Sequence, residues 1–195
     1  MKEHRKGITL SDRDLSVGSV LLTIRGFSGL AGVNVQQIVN WIEAAPAFHL
    51  VGLTAIIYDP HHQLDPAAMD SALPASAGHK AQYVKAERHI LVHDFIDTAE
   101  LQHILYHELG HHVWDRVLNT VLQRHWLLEL SQRQSRRVTR YARRNALEDF
   151  AESYAVFLCD PARLEPLQRK YEFLRNKVFA GVARNIARGF LDVSV

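Results

Sequence analysis

The chain has 195 residues, of which 47% are apolar, enough for one hydrophobic core of ordinary size. Its formal charge of +2, with 23% charged residues, excludes an intrinsically disordered chain and gives no bulk reason to expect a polyanionic partner. Cys159 is the single cysteine, which excludes an internal disulfide framework and a paired-cysteine zinc site; it reads as a small buried hydrophobe.

At the N-terminus Lys2, Arg5 and Lys6 are followed by Asp12, Arg13 and Asp14 before any apolar run of signal-peptide length. Nowhere does the chain offer the ~18 consecutive apolar residues of a membrane span. The expectation is therefore no membrane partner and a cytoplasmic location by default, with export by a dedicated system left open.

Val17 to Phe27 mixes Val, Leu, Ile and Thr and closes on Gly26 and Gly29, which predicts a strand and a turn. Asn34 is placed to cap a short amphipathic helix carrying Val35, Ile38, Val39 and Ile42, stopped by Pro46. The β-rich run from Leu50 to Tyr58 predicts a second strand ending at Asp59-Pro60. Residues 60 to 80 read as loop. Tyr83 to Val84 and His89 to Phe95 predict two further strands, with Lys85 to Arg88 as the turn between them.

From Asp97, which with Glu100 forms a capping-box pattern, the chain reads as helix almost to its end. The expectation is thus an α+β chain, one domain over residues 1–195. A small sheet-rich part (about 15–96) precedes an active-site helix and a helical C-terminal half (about 97–195).

His107-Glu108-Leu109-Gly110-His111 matches the H-E-x-x-H pattern, in which two histidines four apart share one helix face and one zinc ion. At about 100° per residue they lie roughly 40° apart, with Leu101, Leu105 and Leu109 striping the opposite side. Glu108, rotated about 60° from His111, is too far round to be a third ligand and sits in the general-base position. Gly110 costs the helix about 1 kcal/mol relative to alanine, which points to a close approach by another segment. His103 and His112 read as non-ligands, with His112 towards the packed side.

A catalytic zinc takes a third protein ligand and leaves its fourth position for water. Read as one helix, Tyr141 to Leu158 sets Leu147, Phe150, Tyr154 and Phe157 on an apolar stripe, with Tyr141, Asn145, Glu148 and Glu152 opposite. Two carboxylates four apart repel unless a cation or donors lie between them. One of the pair can ligate the metal while the other accepts the free N–H of a ligating histidine. Wheel geometry alone leaves open which does which.

The H-E-x-x-H segment followed by Glu148-Asp149-Phe150-Ala151-Glu152-Ser153-Tyr154 resembles the gluzincin metallopeptidases, specifically the anthrax lethal-factor and Pro-Pro endopeptidase type. The resemblance runs from about Leu101 to Leu174 and does not place the first ~30 residues. It implies a zincin-like fold, Glu148 as third zinc ligand and Glu152 as its outer partner. It also implies that the Tyr141 hydroxyl assists the transition state, seven residues before the ligand glutamate. Zinc is the expected cofactor and a peptide or protein the expected substrate, extended along the sheet edge in the Tyr83 to His93 stretch.

Six arginines at 133, 136, 137, 140, 143 and 144 raise a nucleic-acid reading. On a helix they spread round the axis with only Tyr141 interleaved, so nucleic acid is not expected; a solvated face comes first and a preference for acidic surfaces second. The other class of function is a catalytically silent zinc-binding regulatory or interaction protein. Glu108 and Tyr141 argue against it, because neither is needed to hold the metal. A peptide deformylase is excluded by the lack of an upstream cysteine ligand.

Overall fold

A computed structural model describes residues 13–17, 20–61, 80–133 and 136–179. Its five-stranded mixed sheet comprises β1 (Arg13–Val17), β2 (Val20–Arg25), β3 (Ala55–Tyr58), β4 (Ala81–Val84) and β5 (His89–Val92), in the spatial order β1-β2-β3-β5-β4. β2, β3 and β5 run parallel, while β1 and β4 are antiparallel edges.

The first predicted strand forms as β2, and a strand that the pattern does not predict, β1, precedes it. β1 pairs antiparallel with β2, Val17 opposite Val20, so the stretch that the family resemblance left unplaced supplies a sheet edge. The predicted strand from Leu50 shortens to Ala55–Tyr58. Leu50 instead ends a 3₁₀ turn, Ala47–Leu50, and Gly52 follows with φ 84°. The expected loop at 60–80 falls mostly on residues outside those described.

α1 (Val35–Glu43) forms as expected. Asn34 accepts the Gln36 N–H at 2.8 Å, and Ile38, Val39 and Ile42 are buried. Gly26, with φ 84°, passes so close to β3 that a Cβ there would stand 2.1 Å from the Tyr58 carbonyl oxygen.

α2 (Thr98–Arg116) starts at Asp97, whose side chain accepts the Glu100 N–H at 2.8 Å. Glu100 does not return the bond to Asp97. It accepts from the Ile96 N–H at 2.6 Å and pairs with Lys80, tying the helix start to the residue before β4. Beyond α2 the continuous helix predicted from the pattern is broken. α3 (Thr120–His125) runs into a π-type turn (Trp126–Ser131), and residues 136–140 are irregular before a 3₁₀ turn at Tyr141–Arg143.

α4 (Ala146–Cys159), α5 (Pro161–Leu164) and α6 (Gln168–Phe173) complete the described helices. The fold is therefore α+β. None of the described helices is long and apolar enough to cross a membrane. Cys159, expected to be buried, is exposed in the last turn of α4, past the residues that pack.

The core lies between the sheet and α2, and continues under α4 through Phe150, Tyr154 and Phe157. Leu147, predicted for the same stripe, is 39% exposed because it occupies the first turn of α4, short of the core. α2 and α4 form the most extensive helix contact. Gly110 stands at the crossing, where a Cβ would meet the Ala151 Cα at 2.9 Å and its carbonyl oxygen at 3.3 Å. Backbone cannot move aside as a side chain can. Gly110→Ala should therefore destabilise by about 1–3 kcal/mol, despite the ~1 kcal/mol that alanine gains in helix propensity. A thermal melt lower by several degrees is the expected result; an unchanged melting temperature would mean that the crossing yields.

Candidate metal centre

The α2–α4 crossing determines which side chains meet. α2 is buried almost all round, with Leu101, Leu105 and Leu109 fully buried and His107 and Glu108 each only 7% exposed. The expected division into a packed face and an open binding face is thus modified, because α4 covers much of the histidine face.

α4 begins where Asn145 accepts the Glu148 N–H at 2.9 Å. Tyr141 and Asn145 therefore lie outside the helix to which the wheel assigned them, Asn145 as cap and Tyr141 in the preceding 3₁₀ turn. The asparagine cap ends the helix because its side chain satisfies an N–H that a further turn would otherwise take. Tyr141 still reaches the site, its ring centroid 5.5 Å from that of His107.

Three ligand atoms converge. His107 Nε2 lies 3.1 Å from His111 Nε2 and 3.0 Å from Glu148 Oε2, and the third side, His111 Nε2 to Glu148 Oε2, is 3.5 Å. Ligand atoms bonded at ~2.0–2.1 Å to a tetrahedral ion stand ~3.3 Å apart, so the triangle has the size such an ion requires. Glu148 Oε2 is buried and, among the described residues, has no hydrogen-bond partner, its approach to His107 lacking a hydrogen bond's angle. A buried carboxylate oxygen left in this state costs stability unless a cation completes it. His107, His111 and Glu148 can thus hold a metal ion.

The surrounding charges agree. Burial opposes a charge on His107, yet Glu148 and Glu152 on either side push its pKa up to about 10. Burial alone would raise the Glu148 carboxyl, but His107 and His111 hold it well below the usual carboxylate range. His103 and His107 do the same for Glu152.

Glu152 is turned away from the triangle and meets the far nitrogen of its first member, with Oε1 2.8 Å from His107 Nδ1 and 3.2 Å from His103 Nε2. This bond fixes the His107 tautomer and leaves Nε2 facing the other ligand atoms. His103, set aside at the sequence level, supports that arrangement; its position one turn before His107 was the available signal.

Glu108 faces the sheet, where one of its oxygens accepts the Tyr83 N–H at 2.7 Å. Tyr83 lies on edge strand β4, whereas His89 to Val92 form the interior strand β5, so only the first part of the Tyr83 to His93 stretch is edge. A second link joins edge to helix: the Tyr83 hydroxyl and His112 Nδ1 are 3.0 Å apart, with His112 fully buried as expected. Tyr141, on the other side, is pushed up to about 12 by burial and by the nearby Glu148, and so keeps its proton at neutral pH.

Sequence patterns gave no signal for the buried pair behind the site. Asp149, next to Glu148, is held by Lys170 Nζ at 2.5 and 2.7 Å, both residues being fully buried, and Arg137 Nε stands 3.6 Å away. Arg137 also donates to the Ser131 carbonyl. The chain around Arg137 and helix α6 are both pinned to the first turn of α4. Comparison of the chain with protein-family models, with curated proteins and with solved structures returned no match.

Proposed function

We propose that this chain is a zinc-dependent metallopeptidase of the gluzincin type, as the resemblance of its motifs to the lethal-factor and Pro-Pro endopeptidase group implies. The observation that carries the reading is the position of Glu108. It is buried beside a triangle of ligand atoms 3.0–3.5 Å on a side, yet directed to the sheet edge and not into the triangle. Holding a metal does not require a carboxylate at this position.

His107, His111 and Glu148 would hold the zinc, whose Lewis acidity would acidify a water and polarise a peptide carbonyl. Glu108, anchored through one oxygen, takes the proton of the attacking water and returns it to the leaving amine. Tyr141, protonated at neutral pH, donates its hydroxyl to the oxyanion of the tetrahedral intermediate. An extended peptide pairs with β4, the edge that contacts Glu108. His111, its side chain 19% exposed against 9% for His107, marks the side from which substrate enters.

Metal analysis of the purified chain, together with cleavage of a diverse peptide library, tests this reading. Zinc with cleavage is the expected result; zinc without cleavage overturns the peptidase reading in favour of the silent binding protein, and the absence of both zinc and cleavage overturns the metal site as well. Tyr141→Phe should retain the metal and lower kcat by about 10²-fold or more, with KM little altered, since the hydroxyl acts in the transition state. An unchanged kcat would remove Tyr141 from the mechanism.

A further inference from the structure

Between Leu130 and Leu147 the chain has six arginines and no acidic residue. A continuous helix would scatter these arginines round its axis, but residues 136–140 follow an irregular path and 141–143 form one 3₁₀ turn. Two of the six are engaged: Arg137 turns inward to Asp149, and Arg133 pairs with Glu129 at 2.7 Å. Arg136, Arg140, Arg143 and Arg144 are exposed, and among the described residues none forms an ion pair.

One of the four, Arg144, borders the candidate metal centre. The Arg144 guanidinium lies 4.3 Å from the centroid of the Tyr141 ring, itself 5.5 Å from that of His107. The Arg144 charge is thus within about 10 Å of His107, on the order of one Debye length at physiological salt. Around the edge strand, by contrast, lysines are neutralised: Lys80 by Glu100 at 2.7 Å and Lys85 by Asp115 at 2.5 Å. Like charges held together without counter-charge repel, and the four exposed arginines do nothing for the packing of the core. Their location gives them a use in selecting what approaches the metal.

Resting on the peptidase reading, we infer that the substrate is an acidic peptide segment, with Asp or Glu within a few residues of the scissile bond on the side of Arg144, reinforced by the exposed arginines that precede it in the chain. The overall charge is only +2, so the selection is local and concerns the residues flanking the cut, not the net charge of the substrate.

The test is cleavage by the zinc-loaded full chain of peptides that differ only in carrying Glu, Gln or Lys at the flanking positions. The expected kcat/KM is at least about tenfold higher for the Glu peptide than for its Lys counterpart, and the ratio should fall towards one as KCl is raised to about 0.5 M. Arg140→Glu, Arg143→Glu and Arg144→Glu combined should bring the Glu-to-Lys ratio below one. A ratio measured on one preparation does not depend on the fraction of chain that folds, so partial misfolding of the variant cannot imitate this result. Cleavage without acidic preference overturns the inference and leaves the peptidase reading standing; no cleavage of any peptide overturns both. Salt-sensitive micromolar binding of a DNA or RNA oligonucleotide, weakened in the triple variant and without acidic preference in cleavage, assigns the arginines to nucleic acid instead.

Discussion

Glu108→Gln should leave about one zinc per chain and lower kcat by about 10²- to 10⁴-fold, the range expected when a positioned proton-transfer group is lost. The amide oxygen of glutamine can still accept the Tyr83 N–H that now meets the carboxylate at 2.7 Å, so the edge strand and α2 keep their spacing. Only the ability to take a proton disappears. Metal content by mass spectrometry and single-turnover cleavage on the same sample separate the two roles. Loss of zinc in this variant would show that Glu108 holds the metal, and the proposed division of labour would fail.

Glu148→Ala should nearly abolish tight zinc binding, whereas Glu152→Ala should weaken it by about 10- to 100-fold. The reason is geometric. Glu148 Oε2 is the third corner of the ligand triangle, 3.0 Å from His107 Nε2 and 3.5 Å from His111 Nε2, while Glu152 touches His107 on the opposite nitrogen at 2.8 Å. Removing Glu152 frees the His107 ring to rotate but deletes no ligand atom. Glu148 also places a negative charge in the first turn of α4, a favourable position against the helix dipole worth about 0.3–1 kcal/mol, so folding must be checked independently of metal. Competition with a chelator of known affinity, run on both variants, reads the order. If Glu152→Ala proves the metal-free variant and Glu148→Ala still binds, the ligand assignment is wrong by one helical turn.

Much of this site is legible without coordinates because its members are local. His107 and His111 meet through the helical repeat alone, and Glu148 and Glu152 face one way for the same reason. Propensity and capping likewise located α1 and the start of α2, since Asn34 and Asp97 act on N–H groups two and three residues away. The misses have a common cause. Tyr141 fits the wheel of α4, but the Asn145 cap breaks the chain there, and Tyr141 reaches His107 from a separate turn. The six arginines scatter only if the segment is one continuous helix, and residues 136–140 are irregular.

By itself the sequence determined which chemistry the chain can carry: two histidines and a carboxylate pair at one-turn spacing, with a third carboxylate adjacent to the first histidine. It could not determine how two helices 30 residues apart are brought to bonding distance. That is decided at Gly110, where the absence of a Cβ lets the backbone of α4 approach α2 closely. Tertiary packing likewise decided that Glu108 meets β4 and that Glu148 presents Oε2 to the triangle, because each of these contacts joins segments that no local periodicity relates.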